Sequence, residues 1–130
     1  MPRLSRWLAR TALLHLVAAL ALGILMPAGA ARSPWIAGAW PVYIHLLVLG
    51  WVTQLIAAVA LWMFPRPDRR LTTEGFPGWA FYGLLNAGLV LRAIAEPLPA
   101  LNRLLPIAAL MHLGAILALA AMLWPRIRGR

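Results

Sequence analysis

Residues 41–64 read PVYIHLLVLGWVTQLIAAVALWMF, an apolar run without a single charged residue. A helix of about 20 such residues crosses the roughly 30 Å of hydrocarbon in a bilayer. Working outward, three more runs of similar length follow the same pattern, at residues 7–26, 78–94 and 104–124. A soluble chain of this length would keep one polar face on each helix, and these runs have none. The whole-chain values agree: 63% hydrophobic, 12% charged and a mean hydropathy of +0.81. The expected fold is all-α: a four-helix up-down transmembrane bundle with short loops, a single integral membrane domain spanning 1–130.

The charges orient the bundle. The chain has 12 basic residues, all of them Arg. Arg3, Arg6 and Arg10 precede or open the first run, Arg66, Arg69 and Arg70 lie between the second and third, and Arg126, Arg128 and Arg130 follow the fourth. Only Arg32, Arg92 and Arg103 belong to the other side. The positive-inside rule therefore predicts both termini and the 65–77 loop in the cytoplasm, as expected for a multi-pass protein of a bacterial inner membrane. The net charge of +9 does not read as nucleic-acid binding. Such a protein needs a soluble basic face, whereas these arginines cluster at membrane boundaries facing anionic headgroups. With 0 Cys there is no disulfide, no thiolate metal site and no Cys-anchored haem.

Arg3 to Arg10, the apolar stretch after them and Ala28-Gly29-Ala30 also resemble a cleavable signal peptide. The apolar stretch is long for a signal, and no soluble exported domain follows, so the first run is expected to stay as a span. Pro27, Pro65, Pro77 and Pro125 read as helix stops, and Pro41 and Pro106 as first-turn residues. Trp7, Trp35, Trp40, Trp62, Trp79 and Trp124 fit an interfacial belt, whereas Trp51 falls within a span.

Polar groups at membrane depth need a partner or a task. They are His15, His45, Gln54, Asn86, Arg92, Glu96 and His112, with Thr11 and Thr53 as lesser cases. Arg92 and Glu96, one turn apart, read as an ion pair. Gln54 and Asn86 read as hydrogen bonds between helices, and Gly83, Ala87, Gly88 and Gly114 as points of close helix approach. With so few carboxylates, the histidines are the candidate metal or haem ligands. Counted at about 1.5 Å per residue, His45 lies ~6 Å inside Pro41 and His112 ~13 Å inside Arg103, a depth difference of roughly 7 Å. His15, ~7 Å from the opposite surface, reads as an interhelical hydrogen-bonder. His45 and His112 are the best intramolecular pair for one iron, which two ligands approach from opposite faces. No nucleophile–base pair, carboxylate pair or phosphate loop marks an enzyme.

The stretch from His45 through Gly50, Trp51 and Gln54 to Trp62, Pro65 and Arg66 resembles the second helix of haem–copper oxidase subunit I, most closely its nitric-oxide-reductase-like branch. The chain as a whole resembles small four-helix bacterial proteins labelled subunit I-like. The likeness rests on the opening Met1-Pro2-Arg3-Leu4-Ser5-Arg6-Trp7, on Leu85-Asn86-Ala87-Gly88, and on the ending Trp124-Pro125-Arg126-Ile127-Arg128. The resemblance implies that His45 is an axial ligand of a haem b, with His112, Met111 or His45 of a second copy opposite. It implies Trp51, Phe81 or Tyr82 against the porphyrin. The chain's 3 His fall short of the six that a binuclear oxygen- or nitric-oxide-reducing centre requires in that superfamily. The expected function is electron transfer or haem or gas sensing through one haem b. The alternatives are a non-haem structural or accessory subunit of a respiratory complex and, more weakly, a small oligomeric transporter.

Overall fold

The computed structural model describes residues 1–29, 33–64 and 75–127, so the readings that fall on 30–32, 65–74 and 128–130 lie outside the described residues. Every element is helical. α1 is Arg3–Gly29 and α2 a single turn, Pro34–Ala37. α3, Trp40–His45, runs directly into a π-helical segment, Leu46–Thr53, and then into α4, Gln54–Met63. α5 is Phe76–Ala95. A 3-10 segment, Pro99–Leu104, leads into α6, Leu105–Ile127. Four continuous helices among the described residues are long and apolar enough to cross a membrane: Arg3–Ala28, Trp40–Met63, Phe76–Ala95 and Pro99–Ile127.

Three of the expected stops fall inside helices. Pro77 sits in the first turn of α5, where its missing amide hydrogen has no intrahelical partner to lose. Pro27 and Pro125 both lie in the last turn of their helices, α1 and α6. Proline there removes one amide donor, and so little helix remains beyond it that the lost bond disturbs only the final turn.

The up-down order follows from which helix ends share a core. One buried cluster joins Leu4 and Leu8 of α1, Ala57, Ala58 and Leu61 of α4, Phe81 and Leu85 of α5, and Ala115 of α6, with Leu119, Met122 and Leu123 packed against it. The start of α1, the end of α4, the start of α5 and the end of α6 therefore meet at one end of the bundle. A second cluster joins Leu22 to Ala39 and Val42, flanked by Met26, Tyr43, Leu46 and Ala93, at the other end. Both chain termini thus approach the same end. The outward faces are apolar: Leu14, Val17, Ile24, Ile56, Val90, Leu110 and Leu117 are all more than half exposed. An apolar surface this extensive suits lipid rather than water.

The π segment decides what the second spanning helix presents to the core. An α-helix turns about 100° per residue, so His45 and Gln54 would point to opposite sides of an unbroken α-helix. The i→i+5 ladder of residues 46–53 packs more residues into each turn. Over eight residues it takes up roughly a third of a turn of lag, swinging the two side chains toward one side. Both do face inward: Gln54 is fully buried, and the His45 ring lies against His112. The Thr53 hydroxyl donates to the Val48 carbonyl five residues back at 2.8 Å, adding a side-chain donor to the wide turn.

Glycine sets the closest approaches. A Cβ on Gly50 would lie 2.8 Å from Cβ and Cγ of His15, so α1 and the π segment meet through a ring on one side and bare backbone on the other. Gly83 of α5, by contrast, has nothing within 4 Å of where its Cβ would be. Gly50→Ala is therefore expected to destabilise the detergent-solubilised protein by about 1–3 kcal/mol through overpacking. Gly83→Ala should be neutral or gain up to about 1 kcal/mol from helix propensity. Thermal unfolding of the two variants side by side checks the contrast, and equal melting temperatures would refute it.

Candidate functional site

Two polar clusters lie inside the bundle, separated along its axis by the π segment. The first centres on Gln54 at the start of α4. Its orientations follow from one fixed group. The Tyr82 carbonyl can only accept, so it takes a hydrogen bond from Asn86 Nδ2 at 2.7 Å. That turns Asn86 Oδ1 toward Gln54, which must answer with its amide nitrogen, Nε2 donating at 3.1 Å. Gln54 Oε1 then faces α1, where the Thr11 hydroxyl donates to it at 2.7 Å. The Thr11 oxygen also lies 2.9 Å from the Trp7 carbonyl, within the same helix. The second Nε2 proton of Gln54 points to His15 Nδ1 at 3.2 Å, so that nitrogen accepts and the His15 proton sits on Nε2. One buried amide thereby joins α1, α4 and α5. The expected hydrogen bonding of Gln54, Asn86 and His15 between helices is seen here, with Thr11 as a fourth member.

The second cluster is the histidine pair. His45 ends α3, and its Nδ1 lies 2.7 Å from the Pro41 carbonyl one turn back. A carbonyl can only accept, so Nδ1 carries the proton and Nε2 keeps its lone pair. Metal-bound histidines commonly have this arrangement, with the non-ligating N–H pinned to a carbonyl. The His112 ring lies nearly parallel to it, 17° between planes and 6.2 Å between centres. That spacing and angle lie within the range of an offset stack. Two imidazoles on opposite sides of one metal ion, each at about 2 Å, also have ring centres about 6 Å apart. His112 is 7% exposed, and its Nε2 is buried against α5, within reach of the Leu85 backbone but without a well-formed hydrogen bond. The ring fits because α5 has no side chain beside it: a Cβ on Gly88 would lie 2.6 Å from Nε2.

Whatever their difference in depth along the bundle, the two rings meet, 6.2 Å between centres.

Arg92 and Glu96 flank this pair on α5. Arg92 Nη1 donates to both Glu96 oxygens at 3.0 Å, and both side chains are mostly buried. Arg92 also lies within electrostatic reach of His112, and its Nε is buried without a partner. No group of three or more His, Cys, Asp or Glu among the described residues converges on a point that would hold a metal ion. The groups at this place that could ligate a metal are the two imidazoles alone.

The aromatic residues expected at a porphyrin are placed differently. Phe81 is fully buried in the cluster with Leu4 and Leu61, and Tyr82 packs beside it. Trp51 is half-buried within the π segment. The aromatic contacts are Trp40–Tyr43, His45–His112 and Trp79–Tyr82, and Trp51 takes part in none of them. An apolar hollow of about 450 Å³ lies along the flank of α4, lined by Leu55, Ile56, Val59, Ala60, Met63 and Phe64, away from the histidines. Comparison with known protein families, curated proteins and solved structures gives no match.

Gln54→Leu removes three bonds between helices. At about 0.6 kcal/mol for each such bond in a membrane protein, the loss is about 2 kcal/mol. Thr11→Ala should cost about a third as much. Unfolding in mixed micelles with increasing SDS measures both, and a Thr11→Ala loss as large as that of Gln54→Leu would contradict the assignment of Gln54 as the hub.

Proposed function

We propose that this chain is a small haem-b membrane protein, with His45 and His112 as the axial pair, that carries electrons or senses haem or gas. The observation that carries the reading is the pairing of the two rings, near-parallel and 6.2 Å apart, with the Pro41 carbonyl leaving the Nε2 lone pair of His45 available. Bound there, haem b supplies one-electron exchange at iron. The chain's own part is to hold both rings in register from two helices, with the Pro41 carbonyl fixing the His45 tautomer and Gly88 making room for His112. Trp51, next to Gly50 on the same helix, is the aromatic residue assigned to the porphyrin edge. This reading accords with the resemblance of helix two to haem–copper oxidase subunit I. With two imidazoles in the pair, it has no place for a binuclear centre, and oxygen or nitric-oxide reduction is not its chemistry alone.

A second reading has its own support. Both rings are already accommodated by the helices, His112 in the notch at Gly88 and His45 on its own helix. In that reading the bundle is a non-haem accessory subunit of a respiratory complex, or a homodimer, and the histidines are packing.

An absorption spectrum of the purified protein, oxidised and dithionite-reduced, separates the two. A Soret band with sharp reduced α and β bands, lost in His45→Ala and in His112→Ala, is the expected result. A featureless spectrum after expression with added haem overturns the haem reading in favour of the accessory one.

We also infer that the end of the bundle bearing both termini faces the cytoplasm of a bacterial inner membrane. Arg3, Arg6, Arg10 and Arg126 lie at that end, against Arg92 and Arg103 at the other. The chain has 0 Cys, so single cysteines report cleanly. In intact cells a membrane-impermeant maleimide should label Asn102→Cys and spare Phe76→Cys. The reverse pattern would invert the topology.

A further inference from the structure

The wide turns of the second spanning helix are long for their kind. A π-helix is rare and mostly lasts a single turn, yet Leu46–Thr53 keeps it for 8 residues. The flanking residues have ordinary α-helical backbone, with φ −66° and ψ −38° at His45 and φ −67° and ψ −39° at Gln54. Little in the segment itself imposes the wide turn. It has no proline, and its side-chain support is the bond from the Thr53 hydroxyl to the Val48 carbonyl. An α-helical ladder would suit these apolar residues in lipid equally well, since either ladder pairs the backbone internally.

The wide turn is therefore held from its two ends. At one end Gln54 is fixed in direction by Thr11, His15 and Asn86. At the other, His45 is fixed by the Pro41 carbonyl on its own helix and by the His112 ring facing it. Both sets of contacts cannot survive on unbroken α-helix, where about 100° per residue sends the two side chains to opposite sides. Midway, Gly50 sets bare backbone against the His15 ring, a contact over which the segment can turn. The flanks are moored unequally. α4 enters the larger buried cluster through Ala57, Ala58 and Leu61, whereas α3 enters the smaller one through Val42. α3 is the half freer to turn.

We propose that Leu46–Thr53 is a two-register coupler, which stays π-helical while both polar clusters are made and closes to α-helix when either is released. Closing reverses the phase that the wide turns supply and swings α3, with His45, relative to Gln54. Whatever engages or frees the histidine pair is then felt at Gln54, and on α1 through Thr11 and His15. The effect runs equally in the other direction, because coupling between two sites is reciprocal. The coupler is a property of the backbone and does not rest on haem.

A double-mutant cycle on the full chain tests this, with Gln54→Leu, His112→Ala and the double variant unfolded in mixed micelles with increasing SDS. Each single variant recovers what the π register costs, and the double variant recovers it only once. The double variant should therefore lose more than its parts. Its unfolding constant should exceed the product of the two single increases by about threefold or more, where independent sites agree within roughly twofold. Agreement within that range overturns the proposal. So does a double variant that loses less than the product, which would place the coupling in direct packing across α5. The register itself is read by spin labels at Ile44→Cys and Met63→Cys, exposed positions on either side of the segment in a chain with 0 Cys. Closing the segment to α-helix lengthens it by roughly 2–3 Å. Pulsed dipolar distances between the labels should show that lengthening in both single variants. An unchanged distance in His112→Ala overturns the proposal, and that variant carries this measurement alone if Gln54→Leu does not fold.

Discussion

A side-chain amide buried in a membrane has no water to fall back on, and Gln54 meets that constraint by binding three helices at once. Its carbonyl oxygen takes the Thr11 hydroxyl, and its two amide protons go to Asn86 and His15. Because the Tyr82 carbonyl fixes Asn86, the whole set has one self-consistent orientation. Neighbouring helices in lipid gain little from apolar contact alone, since the surrounding chains are equally apolar. Directional bonds of this kind are what set helix register. α6 is held differently. It has no bond to Gln54 and docks on α5 by fitting His112 over Gly88, with Gly114 under Leu84.

Seen this way, the two halves of the bundle have different chemistry. Near the chain termini the core is closed by Leu4, Leu8, Leu61, Phe81 and Leu85, with the satisfied amide network just beyond. Unpartnered buried side-chain atoms occur in both halves: Ser5 Oγ near the termini, and Nε2 of His112 and Nε of Arg92 in the other half. What separates the histidines is that His15 is tied to Gln54 whereas His45 and His112 face each other, and that directs the functional reading to the latter pair.

Much of this was legible in the sequence, and for definite reasons. The four spans follow from length and hydropathy, and the Arg92–Glu96 pair from i, i+4 spacing. The short inventory of intramembrane polar groups left Gln54 and Asn86 few partners but each other. What could not be read was the phase of the second spanning helix. Residues 46–53, LLVLGWVT, are apolar or small on every side except at Thr53, so no polar stripe reveals how many residues fill a turn. Gly50, the bare position in that bulky run, was the one local signal of a close approach. The prolines misled for a related reason. Near the last turn of a helix, Pro27 and Pro125 give up one bond without ending it.

The wide turns between His45 and Gln54 have a consequence for comparing sequences. A regular α-helix returns to the same face after about seven or about eleven residues. These two residues stand nine apart and yet both look inward. A homologous chain that kept both roles on unbroken α-helix would show a different interval. Its alignment here would need a gap in the middle of an apparently uninterrupted span. An insertion or deletion there would conserve the three-dimensional arrangement, and a rigid spacing pattern drawn through helix two would pass such relatives by.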